Sequence, residues 1–178
     1  MRVFWRAGYE VASVDMLTQA MGVPRSSLYQ HFGDKETLFL RSVEHYATTR
    51  LAPILATLDD SPRLPEALGA FFEAVVRLAT GDPERSGCLV SCVLADAAGA
   101  DERMRVELAR RFAHVEGRLA RRIRTAQGGG EVPEHNPASL AAVVGAVARG
   151  IMLSARAGVD PESLRQTAAT AVAIITGR

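Results

Sequence analysis

The stretch from Ser13 to Lys35, SVDMLTQAMGVPRSSLYQHFGDK, limits what this chain can fold into more than any other. Ser13 is a side-chain acceptor just before Val14, Leu17 and Met21, whose spacing puts them on one face of a helix. Gly22 supplies the left-handed backbone that ends that helix, and Pro24 is expected at the first position of the next, where a missing N–H costs nothing. The second helix buries Leu28 and Phe32. Its free surface carries Arg25, Ser26, Ser27, Tyr29, Gln30 and His31, with no opposing charge expected beside them. Such a surface suits the major groove, because base edges and phosphates are hydrogen-bonding targets. Asp34 then caps a longer helix and leaves Lys35 in its first turn, where ammonium and helix N-terminus together attract a phosphate.

The residues Gly8-Tyr9, Ser13-Val14, Leu17, Gly22-Val23, Ser27-Leu28-Tyr29, His31-Phe32, Lys35 and Leu38-Phe39 resemble the DNA-binding domain of TetR-family transcriptional regulators. The shorter GCLVSCVLAD, Gly87 to Asp96, resembles the entry to the sixth helix in one group of that family's regulatory domains. The resemblance implies a homodimer that binds a palindromic operator in double-stranded DNA and responds to a small-molecule effector, more often as a repressor than as an activator. By position in the motif, Arg25, Ser26, Gln30 and His31 are expected at base edges and Ser13, Ser27, Tyr29 and Lys35 at phosphates. Family members usually have a longer first helix with upstream basic residues, so the first helix here is expected to be truncated. They also tend to carry a hydroxyl residue where this chain has Pro24, so its reading helix is expected to be less well anchored.

Helical periodicity recurs through the 178 residues and no strand or hairpin signal interrupts it, so the class is all-α. A three-helix helix-turn-helix domain is expected over residues 1–48 and a helical regulatory and dimerisation bundle over 49–178. Seven of the ten aromatic residues lie at or before Tyr46, as befits a small domain that fills its core with bulky rings. The formal net charge is only +1, so affinity for nucleic acid must come from a local patch. Lys35 is the only lysine among 21 basic residues, which suggests that a compact ammonium is needed there.

Pro53 is expected to kink or end the helix begun at Asp34. From Asp101 to Ala126 a long helix carries Met104, Leu108, Phe112, Val115, Leu119 and Ile123 on one face. Eight arginines interleave with Glu102, Glu107 and Glu116 on the other, a solvated face rather than a nucleic-acid surface. Phe71, Phe72, Cys92, Met104, Phe112 and Met152 are candidate lining for an effector pocket, and so few polar residues among them point to an apolar or aromatic ligand. Asn136-Pro137 and Asp160-Pro161 open two final helices. The resemblance makes these the dimer interface, with Val143, Val144, Val147, Ile151, Leu164, Ala168, Val172 and Ile175 as candidates.

No nucleophile elbow, phosphate-binding glycine loop or metal-ligand spacing occurs, so neither an enzyme nor a cofactor or metal site is expected. Cys88 and Cys92 read as buried small hydrophobes with no cation along their helix face. No stretch reads as a membrane span or signal segment, so a cytoplasmic protein without a membrane partner is expected. The alternative is a helical sensor or interaction protein that does not bind DNA.

Overall fold

The computed structural model describes residues 1–132 and 134–177, and among these there is no strand. Helix α1 (Arg2–Ala7), α2 (Val14–Met21) and α3 (Arg25–Phe32) precede α4 (Lys35–Tyr46). Phe4, Leu17, Leu28, Phe39 and Tyr46 fill the small N-terminal core. Its rings interlock: Phe4 and Tyr9 each lie 4.9 Å from Phe39, and Trp5 meets Tyr46 edge-on at the same distance. Met21, expected on the buried face of α2, is exposed, because the helix ends there and Gly22 turns the chain away.

Pro53 does not end the α4 helix. The chain widens into a π-helical stretch over Ala47–Leu51 and continues as α5 (Ala52–Ala56), with Pro53 in its first turn. The wider register carries the backbone past the donor that proline lacks. Residue 48, the expected domain boundary, therefore lies within an unbroken helical connection.

The rest of the chain comprises α6 (Leu64–Thr80), a π-helical segment (Leu89–Leu94) continued by α7 (Ala95–Ala97), α8 (Glu102–Gly128), α9 (Pro137–Arg156) and α10 (Pro161–Thr176). Asp101, Asn136 and Asp160 cap the last three helices with side-chain oxygens; the Asn136 and Asp160 caps are the ones read from sequence, and Asp101, read as the first residue of its helix, is its cap instead. Helix α9 packs against α6, α8 and α10, while α1 and α4 pack against the π-helical segment. Gly87 allows that segment to press on α9. Its φ is +81°, and a Cβ there would lie 2.9 Å from the Met152 carbonyl oxygen and 3.0 Å from Cys92 Sγ.

Helix α9 corrects one expectation: it has 20 residues and an 18-residue window of mean hydropathy 1.7, long and apolar enough by length and composition to cross a membrane. Here it is a packed helix whose Arg149 pairs with Glu116 of α8.

Of the eight dimer candidates on the final helices, Val143 alone is exposed. Val144, Ile151, Leu164, Ala168 and Ile175 are buried in the chain's own core, and Val147 and Val172 are half-buried. The apolar side chains left outside are Val143, Leu153 and Ile174, exposed by 50, 60 and 76 %. Apolar periodicity finds the core-facing stripe, and a helix with two apolar faces gives no sequence sign of which one faces outward.

Candidate functional site

The turn between α2 and α3 is built as the sequence implies at its first half and differently at its second. The Met16 amide donates to Ser13 Oγ at 3.2 Å, and Gly22 adopts φ 66° and ψ 31°. Pro24 is the N-cap of α3 rather than its first helical residue, and no side chain caps that helix. Its amide-rich N-terminus is therefore open to an anion.

Around α3, Arg25, Ser26, Tyr29, Gln30 and His31 are exposed, as is Ser13, while Ser27 and Lys35 are half-buried. Leu28 is fully buried beneath them. His31 Nδ1 lies 2.8 Å from the Ser27 carbonyl oxygen. A carbonyl can only accept, so Nδ1 donates and Nε2 of the neutral ring is left as an outward acceptor.

Arg25 is not free of opposing charge, contrary to expectation. Its Nε and Nη2 donate to the two carboxylate oxygens of Asp15 at 2.6 and 2.5 Å. This fork holds the Asp15 carboxyl below its usual pKa and raises that of the guanidinium. Asp15 sits in the first turn of α2, and the ten-residue separation from Arg25 gave no pairing signal in the sequence.

Lys35 has partners of its own. Its Nζ donates to the Glu10 carbonyl oxygen at 3.2 Å and lies 4.6 Å from the centroid of the Tyr9 ring. The one lysine thus ties the loop between α1 and α2 to the start of α4. An ammonium has three donors, so this anchoring leaves capacity for a phosphate.

Behind this surface a cavity of about 370 Å³ lies between the α4–α5 connection and α6, α8 and α9. Phe71, Phe112 and Met152 line it, together with Leu51, Ile54, Leu55 and Val75. Phe72 and Met104 do not. They are fully buried in the core, and half-buried Cys92 also lies outside the lining. Sequence reasoning missed the polar part of the wall, which comprises Glu44, Thr48, Ser91, Arg110, Arg111, His114 and Arg149. These come from three helices and both π-helical stretches, and only folding brings them together.

The arginines of α8 reach further than along their own helix. Arg111 pairs with Glu107 one turn before it and with Glu44 of α4, each at 2.5 Å. Arg110 also approaches Glu44, at 3.3 Å, and Arg103 meets Glu36 of α4 at 2.5 Å. Hydrogen bonds from Arg111 and Arg110 hold the Glu44 carboxyl below its usual pKa. Arg149 stacks over Phe112 at 4.4 Å.

Cys88 is buried and Cys92 half-buried. Burial raises the Cys92 pKa, and Arg156 of α9, a cation invisible along the cysteines' own helix face, opposes that shift without overturning it. Among the described residues no group of three or more His, Cys, Asp or Glu side chains is arranged to hold a metal.

A helix-turn-helix on a helical bundle with a cavity between its helices is the architecture of a transcriptional regulator, and comparison with known proteins agrees. Residues 1–41 match the family described as bacterial regulatory proteins, tetR family, and residues 65–171 match the tetracyclin repressor-like C-terminal domain. The HTH-type transcriptional repressor ComR of Escherichia coli is 30 % identical over 174 residues, which cover 96 % of this chain and 82 % of ComR. A cysteine mutant of the TetR-family transcriptional regulator CifR, solved in complex with 26-base-pair double-strand operator DNA, superimposes with a TM-score of 0.88. It is 28 % identical, with 96 % of this chain and 90 % of CifR covered. A TetR-family regulator from Agrobacterium tumefaciens shares the fold at a TM-score of 0.85 and 22 % identity, covering 98 % of this chain and 92 % of its own. The chain belongs to the TetR family of transcriptional regulators.

Proposed function

We propose that the protein is a homodimeric repressor in the cytoplasm that binds a palindromic operator and is released when a small molecule fills the 370 Å³ cavity. The observation that carries this reading is that one continuous helical connection, α4 through α5, begins beside the reading helix and then forms a wall of the cavity. A ligand touching that wall acts on the position of α3. The reading assigns DNA binding to residues 1–48, effector binding and dimerisation to 49–178, and no catalytic role to any residue.

On DNA, Ser26, Gln30 and His31 face base edges, with His31 Nε2 accepting from a base amino group. Ser13, Ser27, Tyr29 and Lys35 face phosphates. Arg25 joins the base readers once Asp15 yields one of its two hydrogen bonds. Dimerisation uses the outward stripe of Val143, Leu153 and Ile174, which sets the two reading helices about one DNA turn, roughly 34–36 Å, apart.

The test is binding to DNA from the protein's own promoter, titrated against salt and compared with random duplex. Tighter promoter binding with a steep salt dependence supports the regulator. If promoter DNA and genomically selected DNA both bind no better than random duplex, a helical sensor without an operator replaces it.

A further inference from the structure

Glu44 is a carboxylate that already occupies the polar end of the cavity. It is set on the Arg111 guanidinium at 2.5 Å, and the side chains are 55 and 11 % exposed respectively. The arginine is a nearly buried cation, whereas the glutamate is free to swing into solvent. Arg111 keeps a second carboxylate, Glu107, on its own helix, so it does not lose all compensation when Glu44 leaves.

The charges around the cavity then fall out of balance by one. Without Glu44, the guanidiniums of Arg110, Arg111 and Arg149 pair, among the described residues, with Glu107 and Glu116 alone. His114 also lines the wall and supplies no negative charge. The lining also offers hydrocarbon and aromatic side chains, Phe71, Val75, Phe112 and Met152, with Phe112 stacked under Arg149. A volume of about 370 Å³ lies at the small end of the range for ligand pockets.

We infer that the effector is a small amphipathic carboxylate, whose head group takes the place of Glu44 on Arg111 and Arg110 and whose apolar body fills the cavity between Phe71, Phe112 and Met152. This rests on the cavity's being the effector site and adds a charged head group to the apolar or aromatic ligand expected from sequence. The exchange is one carboxylate for another on the same donors, so it leaves no buried arginine unpaired. It also severs the Glu44 links between α4 and α8 and leaves Arg103–Glu36 as the remaining ion pair between them, which gives the ligand a different interaction with the joined and parted arrangements.

The test is calorimetric titration of the full chain, without DNA, with hexanoate and phenylacetate and with their neutral isosteres hexanamide and phenylacetamide. The acids are expected to bind more tightly than the amides by about tenfold or more. Glu44→Gln removes the competing charge, so it is expected to tighten acid binding by about threefold or more while leaving the amides unchanged. Arg111→Gln is expected to abolish the preference for acid over amide; if that variant fails to fold, the head-group comparison and Glu44→Gln still decide. Equal affinity for acid and amide, no change in Glu44→Gln, or no binding by any of the four probes overturns the inference. Operator binding is measured separately, so its failure beside retained acid binding removes only the operator reading.

Discussion

Arg25 and Asp15 are joined by two hydrogen bonds, of 2.6 and 2.5 Å, across the turn between α2 and α3. The pair ties α3 to its neighbour and cancels a positive charge on the surface proposed to meet DNA. Both side chains are about two-thirds exposed, so water screens the pair and its value lies in holding the guanidinium rather than in stability. Asp15→Asn is expected to strengthen binding to random duplex and steepen its salt slope by about one unit, because one more cation meets phosphate. Fluorescence anisotropy across a salt series checks this, and an unchanged slope would show that Arg25 leaves Asp15 in the complex anyway. Arg25→Ala, in contrast, is expected to change which sequence is preferred; equal losses on cognate and random DNA remove Arg25 from the base readers.

Lys35→Ala is expected to weaken binding to all sequences about equally and to flatten the salt slope by about one unit. Because its Nζ also holds the Glu10 carbonyl and the Tyr9 ring, the variant should lose about 0.5–1 kcal/mol of unfolding free energy. Urea unfolding separates the two effects: a loss of DNA affinity with unchanged stability would make the lysine a phosphate contact alone.

The outward and inward faces of α9 and α10 should respond in opposite ways. Ile174→Asp, at a site 76 % exposed, is expected to leave the fold intact and shift the protein to monomer in sedimentation equilibrium. Ile151→Ala, at a site 2 % exposed, is expected to cost about 2–5 kcal/mol of stability. A dimer that survives Ile174→Asp would place the interface elsewhere.

Gly87→Ala meets two obstacles together, a positive φ and a Cβ 2.9 Å from a backbone oxygen of α9. A loss of about 2 kcal/mol or more is expected on chemical denaturation. A neutral result would mean that the π-helical segment can draw back from α9.

The Glu44 carboxyl is held below its usual pKa by hydrogen bonds from Arg111 and Arg110. A depressed carboxylate contributes stability that is present above its unfolded pKa, about 4.3, and lost as pH falls through the lower folded value. Glu44→Gln should therefore show a flatter decline of unfolding free energy across that acid window than the native chain. Parallel curves would show that solvent screens the ion pair.

The all-α class, the helix-turn-helix, the Ser13, Asp34, Asn136 and Asp160 caps, and the face of α3 that meets solvent were all determined by the sequence alone. Each rests on neighbours within a few positions, where hydrogen-bond reach and the 3.6-residue period are local facts. Proline showed the limit of that locality. Pro53 lacks a donor wherever it stands, but whether a helix stops or widens to pass it depends on what the helix packs against.

Tertiary structure decided the rest, because partners remote in sequence leave no periodic trace. It set Asp15 against Arg25, Glu44 against Arg111, and Lys35 beneath Tyr9. It turned Val144 and Ile151 inward and left Val143 and Ile174 outside on the same two helices. It also sorted six candidate pocket residues into three that line a cavity and three that do not, and supplied that cavity with arginines. Apolar burial is non-directional, so a sequence can say that a residue is to be buried without saying beside what. Charge pairing between helices follows only once that packing has fixed which surfaces meet.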